Sequence, residues 1–281
     1  MKGFITIATG KLDYYFLAKN LLISYKINGN CDAPFAIIAE KDNEITSLFD
    51  TVIILDNPSC SYMDKIELLR HLPYDKNVFI DADSLIYNDV SFLLDMVQEG
   101  VTCFGNKVTF DEFGWFNKDH LGQYSKLINY NYQTHNGVLL LSNDSKTKDI
   151  YHECKLIAQK YSSFHFSMFG DPADEPIIAL AMAVHNCLPL DRIVNNKVYG
   201  FLPTLRKVRR NITRKQLSYV REGNQWVDNV SILHWQTART QTPEYKQEVF
   251  RLKHGDGILA TLTFLFYTIK YKILIPIKNI F

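Results

Sequence analysis

Short apolar segments alternate with helix-periodic segments along the first 190 residues, and this alternation limits the possible folds more strongly than any other pattern. Six apolar runs are expected to form buried strands, at 4–8, 35–39, 52–55, 78–80, 101–104 and 138–141. Helices are expected near 13–27, 61–69, 90–98, 146–161 and 174–185. This order is typical of an α/β fold with a mostly parallel sheet flanked by helices.

The composition narrows the classes of protein that the chain can belong to. With 281 residues and 47% hydrophobic residues, the chain can bury a large core. A formal net charge of +1 gives no strong overall field, so no nucleic-acid partner is expected. The five cysteines are odd in number and lack metal-ligand spacing, which indicates reduced thiols in a cytoplasmic protein. The apolar run near the first residue is too short for a signal peptide.

The strongest chemical signal is the segment Val-Phe-Ile-Asp-Ala-Asp-Ser at 78–84. Asp81 and Asp83 follow an apolar strand and are two residues apart, so both carboxylates can lie on one face. Ligands of parallel sheets bind at the carboxyl ends of the strands. Two carboxylates there suit Mg²⁺ or Mn²⁺, and such a cation suits a diphosphate. A simple turn at the strand end is the alternative, because Asp is common in turns.

The surroundings of this pair resemble a known family. A helix carrying Lys65 is followed by Leu-Pro-Tyr-Asp-Lys at 72–76, then by the strand with its two aspartates and another helix. This order resembles the glycosyltransferase A (GT-A) fold, specifically the family-8-like transferases that include glycogenin and bacterial lipopolysaccharide galactosyltransferases. The resemblance implies that Asp81 and Asp83 bind a metal ion. It also implies that Lys65 and Ala82 contact a nucleotide-sugar donor.

The opening of the chain fits the same resemblance. Ile-Ala-Thr-Gly at 7–10, followed by Asp-Tyr at 13–14, resembles the nucleotide-binding opening of the family. By that resemblance Thr9 would hydrogen-bond the base or ribose, and Tyr14 would stack on the base. A Thr-Gly turn and a core tyrosine are the structural alternative.

His135, Asn136 and Gly137 lead into a strand and resemble the acceptor-side motif of the family. Glycine permits the close approach of backbone to a sugar. The family usually has Asn two places before the glycine, where this chain has His135. Either His135 or Asn136 could therefore make the contact to the sugar, and a plain turn into a strand is the alternative.

Asp174 and Glu175 open a helix at the place where the family has Asp followed by Gln, near the reacting carbon of the sugar. This chain has a carboxylate in place of the amide, so either residue could contact the sugar. Acidic residues in a first helical turn also stabilise the helix, which explains one of them without any catalytic role.

His234 ends a late apolar segment at 230–234. The resemblance implies that this histidine is the third protein ligand of the metal. Imidazole with two carboxylates favours Mn²⁺ slightly over Mg²⁺. The family often continues with a Gly and a Lys-Pro-Trp that grip the diphosphate, and that clamp is missing here. Arg239 or Lys246 is the expected substitute.

Taken together, the resemblance implies a metal-dependent glycosyltransferase, a hexosyltransferase, that moves a sugar from a nucleotide-diphosphate donor to a glycan or lipid-linked glycan hydroxyl. It implies retention at the anomeric carbon, with the leaving phosphate helping to deprotonate the acceptor. If the enzyme instead inverts, Asp174 or Glu175 becomes the candidate base. The alternatives are a haloacid-dehalogenase-like phosphatase with Asp81 as nucleophile, and a non-catalytic nucleotide- or carbohydrate-binding relative.

The expected domain organisation is a catalytic domain at 1–240 and a helical tail at 241–281. The catalytic domain would contain a nucleotide-sugar half at about 1–105 and an acceptor half at about 106–240. The uncharged run at 257–269 is shorter than the roughly 20 residues that span a bilayer. Its aromatic residues, the following lysines and the basic stretch at 206–215 suit peripheral contact with the inner face of an anionic membrane. Packing on the core or on a partner subunit is the alternative.

Overall fold

The computed structural model describes residues 1–167, 171–220 and 225–270 of the chain. Its strands are β1 (Lys2–Ala8), β2 (Phe35–Ala39), β3 (Thr51–Ile54), β4 (Lys76–Ile80), β5 (Ser84–Ile86), β6 (Val101–Val108), β7 (Asn131–Ser142), β8 (Leu190–Asp191), β9 (Tyr199–Phe201), β10 (Arg206–Asn211), β11 (Gln216–Val220), β12 (Trp226–Val227) and β13 (Ile232–His234). Its α-helices are α1 (Leu12–Asn28), α2 (Asp64–Leu68), α3 (Leu93–Met96), α4 (Ser145–Gln159), α5 (Asp174–Val184), α6 (Pro243–His254) and α7 (Ile258–Ile269).

The main sheet has seven strands in the order β3-β2-β1-β4-β7-β6-β8. Every pairing in it is parallel except those of β7, which runs antiparallel to both β4 and β6. All five residues of β2 are buried, as expected of a strand covered on both faces. The predicted α/β fold with a mostly parallel sheet, flanking helices and a helical C-terminal region is confirmed.

All six predicted strands overlap observed strands, whereas two predicted helices are shorter than expected. The helix α2 begins at Asp64 and not at 61, because the Asp64 carboxylate accepts hydrogen bonds from the backbone N–H groups of Ser59 and Cys60. These bonds hold the preceding segment in a turn. The helix α3 is reduced to Leu93–Met96.

The chain groups into two compact units. The first comprises Met1–Ala18, Asp32–Ala82 and Phe92–Asn195 and contains the whole seven-stranded sheet. In this unit α5 packs against β7 and α4, and its residues 176–183 are buried. The core is therefore formed by the sheet and the helices that cover it.

The second unit comprises Lys19–Cys31, Asp83–Ser91 and Asn196–Phe281. It contains two three-stranded sheets, β5-β13-β9 and β10-β11-β12. The helix α6 is anchored by Glu248, which is fully buried and accepts hydrogen bonds from the backbone N–H of Ile212 at 2.8 Å and from Arg251 at 2.6 Å. The predicted division into a nucleotide-sugar half, an acceptor half and a tail remains a prediction.

The helix α7 packs on α6 through Ala260, which is 1% exposed. Most of its large apolar side chains face outward; those at least half exposed are Ile258, Leu259, Leu262, Leu265, Phe266 and Ile269. Within the three described stretches of the chain, no helix has both the length and the apolar character needed to cross a membrane. Two of the lysines that were predicted to contact a membrane, at 272 and 278, lie outside the described residues.

Candidate active site

The site is built where β4 ends, at the carboxyl end of a central strand of the main sheet. Asp81 follows Ile80 directly, and its backbone N–H donates a hydrogen bond to the carbonyl of Gly137 at 3.0 Å. The apolar residues of β4 are fully buried, which fixes the register of the strand and so the position of Asp81. This places one predicted metal ligand beside the predicted acceptor motif.

A register shift in β7 shapes the acceptor side of the site. Cys103 of β6 pairs with Leu139, but the next residue, Phe104, pairs with His135. Asn136 and Gly137 therefore lie in a bulge that β6 does not match. Bulges re-aim side chains and are common beside active sites. Here the bulge brings Asn136 to the end of β4.

Lys65 lies at the centre of a buried cluster of charges. Its ammonium nitrogen is 2.9 Å from Asp81 Oδ1 and 3.2 Å from Asp174 Oδ2, and it donates to the carbonyl of Asn136 at 3.4 Å. Its side chain is only 11% exposed. Burial alone would lower the pKa of this ammonium, but the carboxylates of Asp174 and Asp81 outweigh burial and raise it. Lys65 is therefore positively charged at any working pH.

Asp174 and Glu175 are held by the bulge of β7. The Asn136 side-chain amide donates to Asp174 at 3.2 Å, and the Asn136 backbone N–H donates to Glu175 Oε1 at 3.3 Å. His135 Nδ1 lies 3.6 Å from the same Glu175 oxygen. The predicted acceptor residues and the predicted catalytic pair are thus in direct contact.

The two neighbouring carboxylates respond differently to their surroundings. Burial raises the pKa of Asp174, and the charge of Glu175 adds to this effect, despite the opposing charge of Lys65. Burial also acts to raise the pKa of Glu175, but the hydrogen bond and charge of His135, together with Lys65, outweigh it and lower the pKa. At neutral pH Glu175 is therefore the more firmly ionised of the two carboxylates.

Asp83 and His234 form a second contact. His234 Nε2 lies 2.9 Å from Asp83 Oδ1, and the second carboxylate oxygen accepts a hydrogen bond from the Thr237 hydroxyl at 2.9 Å. The other ring nitrogen of His234, Nδ1, is 2.6 Å from the Tyr199 hydroxyl. A contact of this kind at one ring nitrogen fixes the orientation of the imidazole.

Asp81, Asp83 and His234 are a candidate metal group. Each offers one ligand atom, and these atoms all lie within 4.8 Å of one another. Two carboxylate oxygens and an imidazole nitrogen fit the ligand preferences of Mn²⁺ or Mg²⁺. The residues present therefore fit a divalent cation, although they do not define which one.

Thr9 directly follows β1, and its hydroxyl has a partner that the sequence did not indicate. It donates to the Asp64 carboxylate at 2.7 Å, and Asp64 also accepts from the Ser59 backbone at 2.7 Å. The Thr9 oxygen can still accept a hydrogen bond, but its proton is used within the protein. The binding roles of Thr9 and of the half-buried Tyr14 remain predictions.

Several residues near the site were missed by sequence reasoning. Glu40 follows β2 directly, and its carboxylate accepts the backbone N–H of Gly10 at 3.2 Å. Its place in the sequence could have indicated it, because Glu40 directly follows β2 in the same way that Thr9 directly follows β1. Tyr199 and Thr237 had no such signal, because only the folded chain brings them to His234 and Asp83. Arg239 is exposed in a short 3₁₀-helix, and its predicted diphosphate role remains a prediction.

No family model and no curated protein matches the chain. Among solved structures, the chain is similar to the apo structure of WbbM, a bifunctional glycosyltransferase, with a TM-score of 0.49 and 13% sequence identity. The likeness covers 71% of this chain and 39% of that one. At this level of similarity it does not define a family, and membership of the family-8-like transferases remains a prediction.

Proposed function

We propose that this chain is a metal-dependent glycosyltransferase of GT-A type. It transfers a hexose from a nucleotide-diphosphate donor to a hydroxyl of a glycan or a lipid-linked glycan, with retention at the anomeric carbon. The observation that carries this proposal is the convergence of Asp81, Asp83 and His234, whose ligand atoms lie within 4.8 Å of one another. Asp81 and Asp83 follow the central strand β4, at the end where ligands of parallel sheets bind.

Asp81, Asp83 and His234 hold the divalent cation, Mn²⁺ or Mg²⁺. When bound, this cation supplies positive charge that stabilises the diphosphate as a leaving group. Tyr199 and Thr237 orient His234 and Asp83 through the hydrogen bonds described above. Ala82 approaches the donor through its backbone.

Lys65 supplies a fixed positive charge on the donor side. Its ammonium contacts Asp81 and Asp174 and so positions both carboxylates. Its positive charge also lowers the free-energy cost of binding an anionic substrate beside them. Thr9 and Tyr14 bind the nucleoside. His135 and the bulge residues Asn136 and Gly137 face the transferred sugar or the acceptor, and Asp174 and Glu175 lie next to the reacting carbon.

We also propose that the protein is cytoplasmic and contacts the inner face of a membrane through α7. The helix exposes a row of large apolar side chains and is followed by Lys270. The hydrogen bond from Asn211 and the ion pair from Arg214 to Asp256 join the end of the basic strand β10 to the turn before α7. Apolar and cationic groups on adjacent elements suit an anionic lipid surface.

A thermal-shift screen tests the proposal. UDP-glucose, UDP-galactose, UDP-N-acetylglucosamine and GDP-mannose are added with and without Mn²⁺. A true donor at about 100 times its Kd should stabilise the protein by about 2.7 kcal/mol, which is about 5 °C in Tm. The shift should require the metal and should be lost in Asp83→Ala. The matched control is Asp149→Ala, which removes an exposed carboxylate on α4.

Other outcomes would identify the alternatives. Hydrolysis of p-nitrophenyl phosphate that is lost in Asp81→Asn, with no response to nucleotide sugars, would identify a phosphatase. Donor binding without transfer or donor hydrolysis would identify a non-catalytic relative. No response to any nucleotide sugar, with or without metal, would contradict the proposal.

A further inference from the structure

We propose that the Glu175 carboxylate is the nucleophile of the sugar transfer, so that retention results from two successive displacements through a covalent glycosyl–enzyme ester. This inference rests on the proposed function and adds a chemical role for one side chain. It begins from the different surroundings of the two carboxylate oxygens of Glu175.

The first support is the way in which Glu175 is held. Both of its close contacts, the Asn136 backbone N–H at 3.3 Å and His135 Nδ1 at 3.6 Å, converge on Oε1. Within the described part of the chain, Oε2 receives no hydrogen bond. The side chain is 24% exposed, so one oxygen is fixed while the other can reach a ligand. A nucleophile needs this combination of fixed direction and a free lone pair.

The second support is that Asp174 is unsuited to the same role. Its carboxylate is 5% exposed and is bound by Lys65 at 3.2 Å and by the Asn136 amide at 3.2 Å. Both contacts fall on Oδ2, and the near-complete burial of the side chain keeps a ligand from approaching Asp174, whereas Glu175 is 24% exposed. Asp174 is a positioning residue, and Glu175 is the neighbouring carboxylate that is left to react.

The third support is electrostatic. The pKa of Glu175 is lowered by His135 and Lys65 in spite of burial, whereas burial raises that of Asp174. Glu175 also lies in the first turn of α5, where the helix dipole favours an anion. Pairs of carboxylates whose environments separate their pKa values commonly divide catalytic roles in this way.

The chemistry balances with groups already present. In the first step Glu175 Oε2 bonds to the anomeric carbon, the bond from that carbon to the phosphate oxygen breaks, and the nucleoside diphosphate leaves with the electron pair. In the second step the acceptor hydroxyl oxygen bonds to the same carbon, and the ester electron pair returns to Glu175. The hydroxyl proton passes to water. Two inversions give net retention.

Intact-mass spectrometry tests the covalent step. The full-length protein is mixed with Mn²⁺ and the donor that stabilises it, without acceptor, and is quenched in acid. The wild type should gain the mass of one sugar, and peptide mapping should place it on Glu175. Glu175→Gln should show no adduct and should lose transfer on the order of 10⁴-fold or more. Its donor-induced rise in Tm should persist, which shows that the variant is folded and binds.

Azide rescue provides a second readout. In Glu175→Ala, added azide should attack the anomeric carbon and give a glycosyl azide of configuration opposite to the donor, whereas the wild type should give none. The matched control is Glu244→Gln, which alters a glutamate in the first turn of α6 and should keep both adduct formation and transfer.

Two results would overturn the nucleophile while leaving intact the proposal of a metal-dependent glycosyltransferase. One is transfer with retention by Glu175→Gln at a rate within about tenfold of the wild type. The other is a product of inverted configuration from the wild type, which would make Glu175 a base. Absence of any donor response or transfer in the wild type would overturn both the function and the nucleophile.

Discussion

At the scale of single residues, Lys65 determines whether the buried carboxylates of the site can be tolerated. Its ammonium is shared between Asp81 and Asp174, and none of the three side chains is more than 16% exposed. Removing one partner of a buried ion pair leaves an uncompensated charge, which typically costs about 3–5 kcal/mol. The cluster is therefore sensitive to a change in this one residue.

We expect Lys65→Met to lower the free energy of unfolding by about 3–5 kcal/mol at neutral pH. Without the ammonium, the pKa of Asp174 rises further above its unfolded value. A carboxyl group whose pKa is raised by folding stabilises the folded protein fully below its pKa in the unfolded chain, about 3.9. This stabilisation is lost as pH rises through its pKa in the folded protein. The deficit should therefore be smaller at pH 5 than at pH 8, as urea denaturation at the two pH values can measure.

The control for this change is Lys155→Met. Lys155 pairs with Glu67 at 2.6 Å, but its side chain is 47% exposed. Such a pair contributes at most about 1 kcal/mol. A loss in Lys65→Met that is equally small, or that does not depend on pH, would contradict the description of a buried charge cluster.

Tyr199 gives a prediction for the metal group. Tyr199→Phe removes the hydroxyl that lies 2.6 Å from His234 Nδ1 and leaves the ring in place. Loss of such an orienting contact typically weakens metal binding by about 10–100-fold. Calorimetric titration with Mn²⁺ measures the affinity, and Tyr62→Phe, at an exposed tyrosine, is the control. An unchanged affinity would show that Tyr199 does not orient a ligand.

At the scale of elements, two interruptions of regular structure shape the site. The bulge in β7 presents Asn136 to Asp174 and Glu175, and the turn before α2 directs Asp64 toward Thr9. Glu175 lies in the first turn of α5, so its position depends on the residue at which that helix begins. The neighbouring helix α4 shows how such a start is fixed.

The start of α4 is fixed by Asp144. Its carboxylate accepts the backbone N–H of Thr147 at 2.9 Å and that of Gly100 at 3.0 Å. We expect Asp144→Ala to lower the free energy of unfolding by about 1 kcal/mol, the usual cost of losing an N-cap. Asp149→Ala on the exposed face of the same helix should change it by less than about 0.5 kcal/mol.

The Asp144 contribution should also depend on pH. Burial acts to raise the pKa of Asp144, but the N–H donors of Thr147 and Gly100 outweigh it and lower the pKa. A carboxyl group whose pKa is lowered by folding stabilises the folded protein above its pKa in the unfolded chain, about 3.9. This stabilisation is lost as pH falls through its pKa in the folded protein. The difference between wild type and Asp144→Ala should therefore disappear in acid. A difference that persists there in urea denaturation would exclude an ionised cap.

At the scale of the whole molecule, the exposed apolar face of α7 needs an explanation. Leu262 and Leu265 are 53% and 50% exposed, although the helix is otherwise packed on α6. A contiguous apolar face of this kind commonly marks a contact with a membrane or another protein. The adjoining cationic residues favour an anionic lipid surface.

We expect the protein to cosediment with vesicles that contain anionic phosphatidylglycerol, and less so at high salt. Leu262→Glu should weaken this binding by about tenfold or more, since burying one leucine contributes about 1.5–3 kcal/mol. The control is Leu156→Glu, which alters a leucine of α4 that is 50% exposed. Equal losses in the two variants, or no binding by the wild type, would contradict membrane contact through α7.

Much of the local structure could be predicted from the sequence. Apolar runs such as 35–39 and 78–80 predicted strands, because burial on both faces of a sheet requires continuous apolar residues. The position of Asp81 and Asp83 after such a run predicted their place at a strand end. His234 was predicted as a metal ligand only through the family resemblance, because no local pattern connects it with the two aspartates.

The sequence by itself therefore determined six of the seven strands of the main sheet, the principal helices, the α/β class and the types of residue that could carry the chemistry. The tertiary structure decided the reversed direction of β7 and its bulge, the use of the Thr9 hydroxyl by Asp64, and the contact of Tyr199 with His234. It also decided that Asp174, and not Glu175, pairs with Lys65. The physical reason is range: periodicity and propensity act over a few residues, whereas these contacts depend on how distant segments pack together.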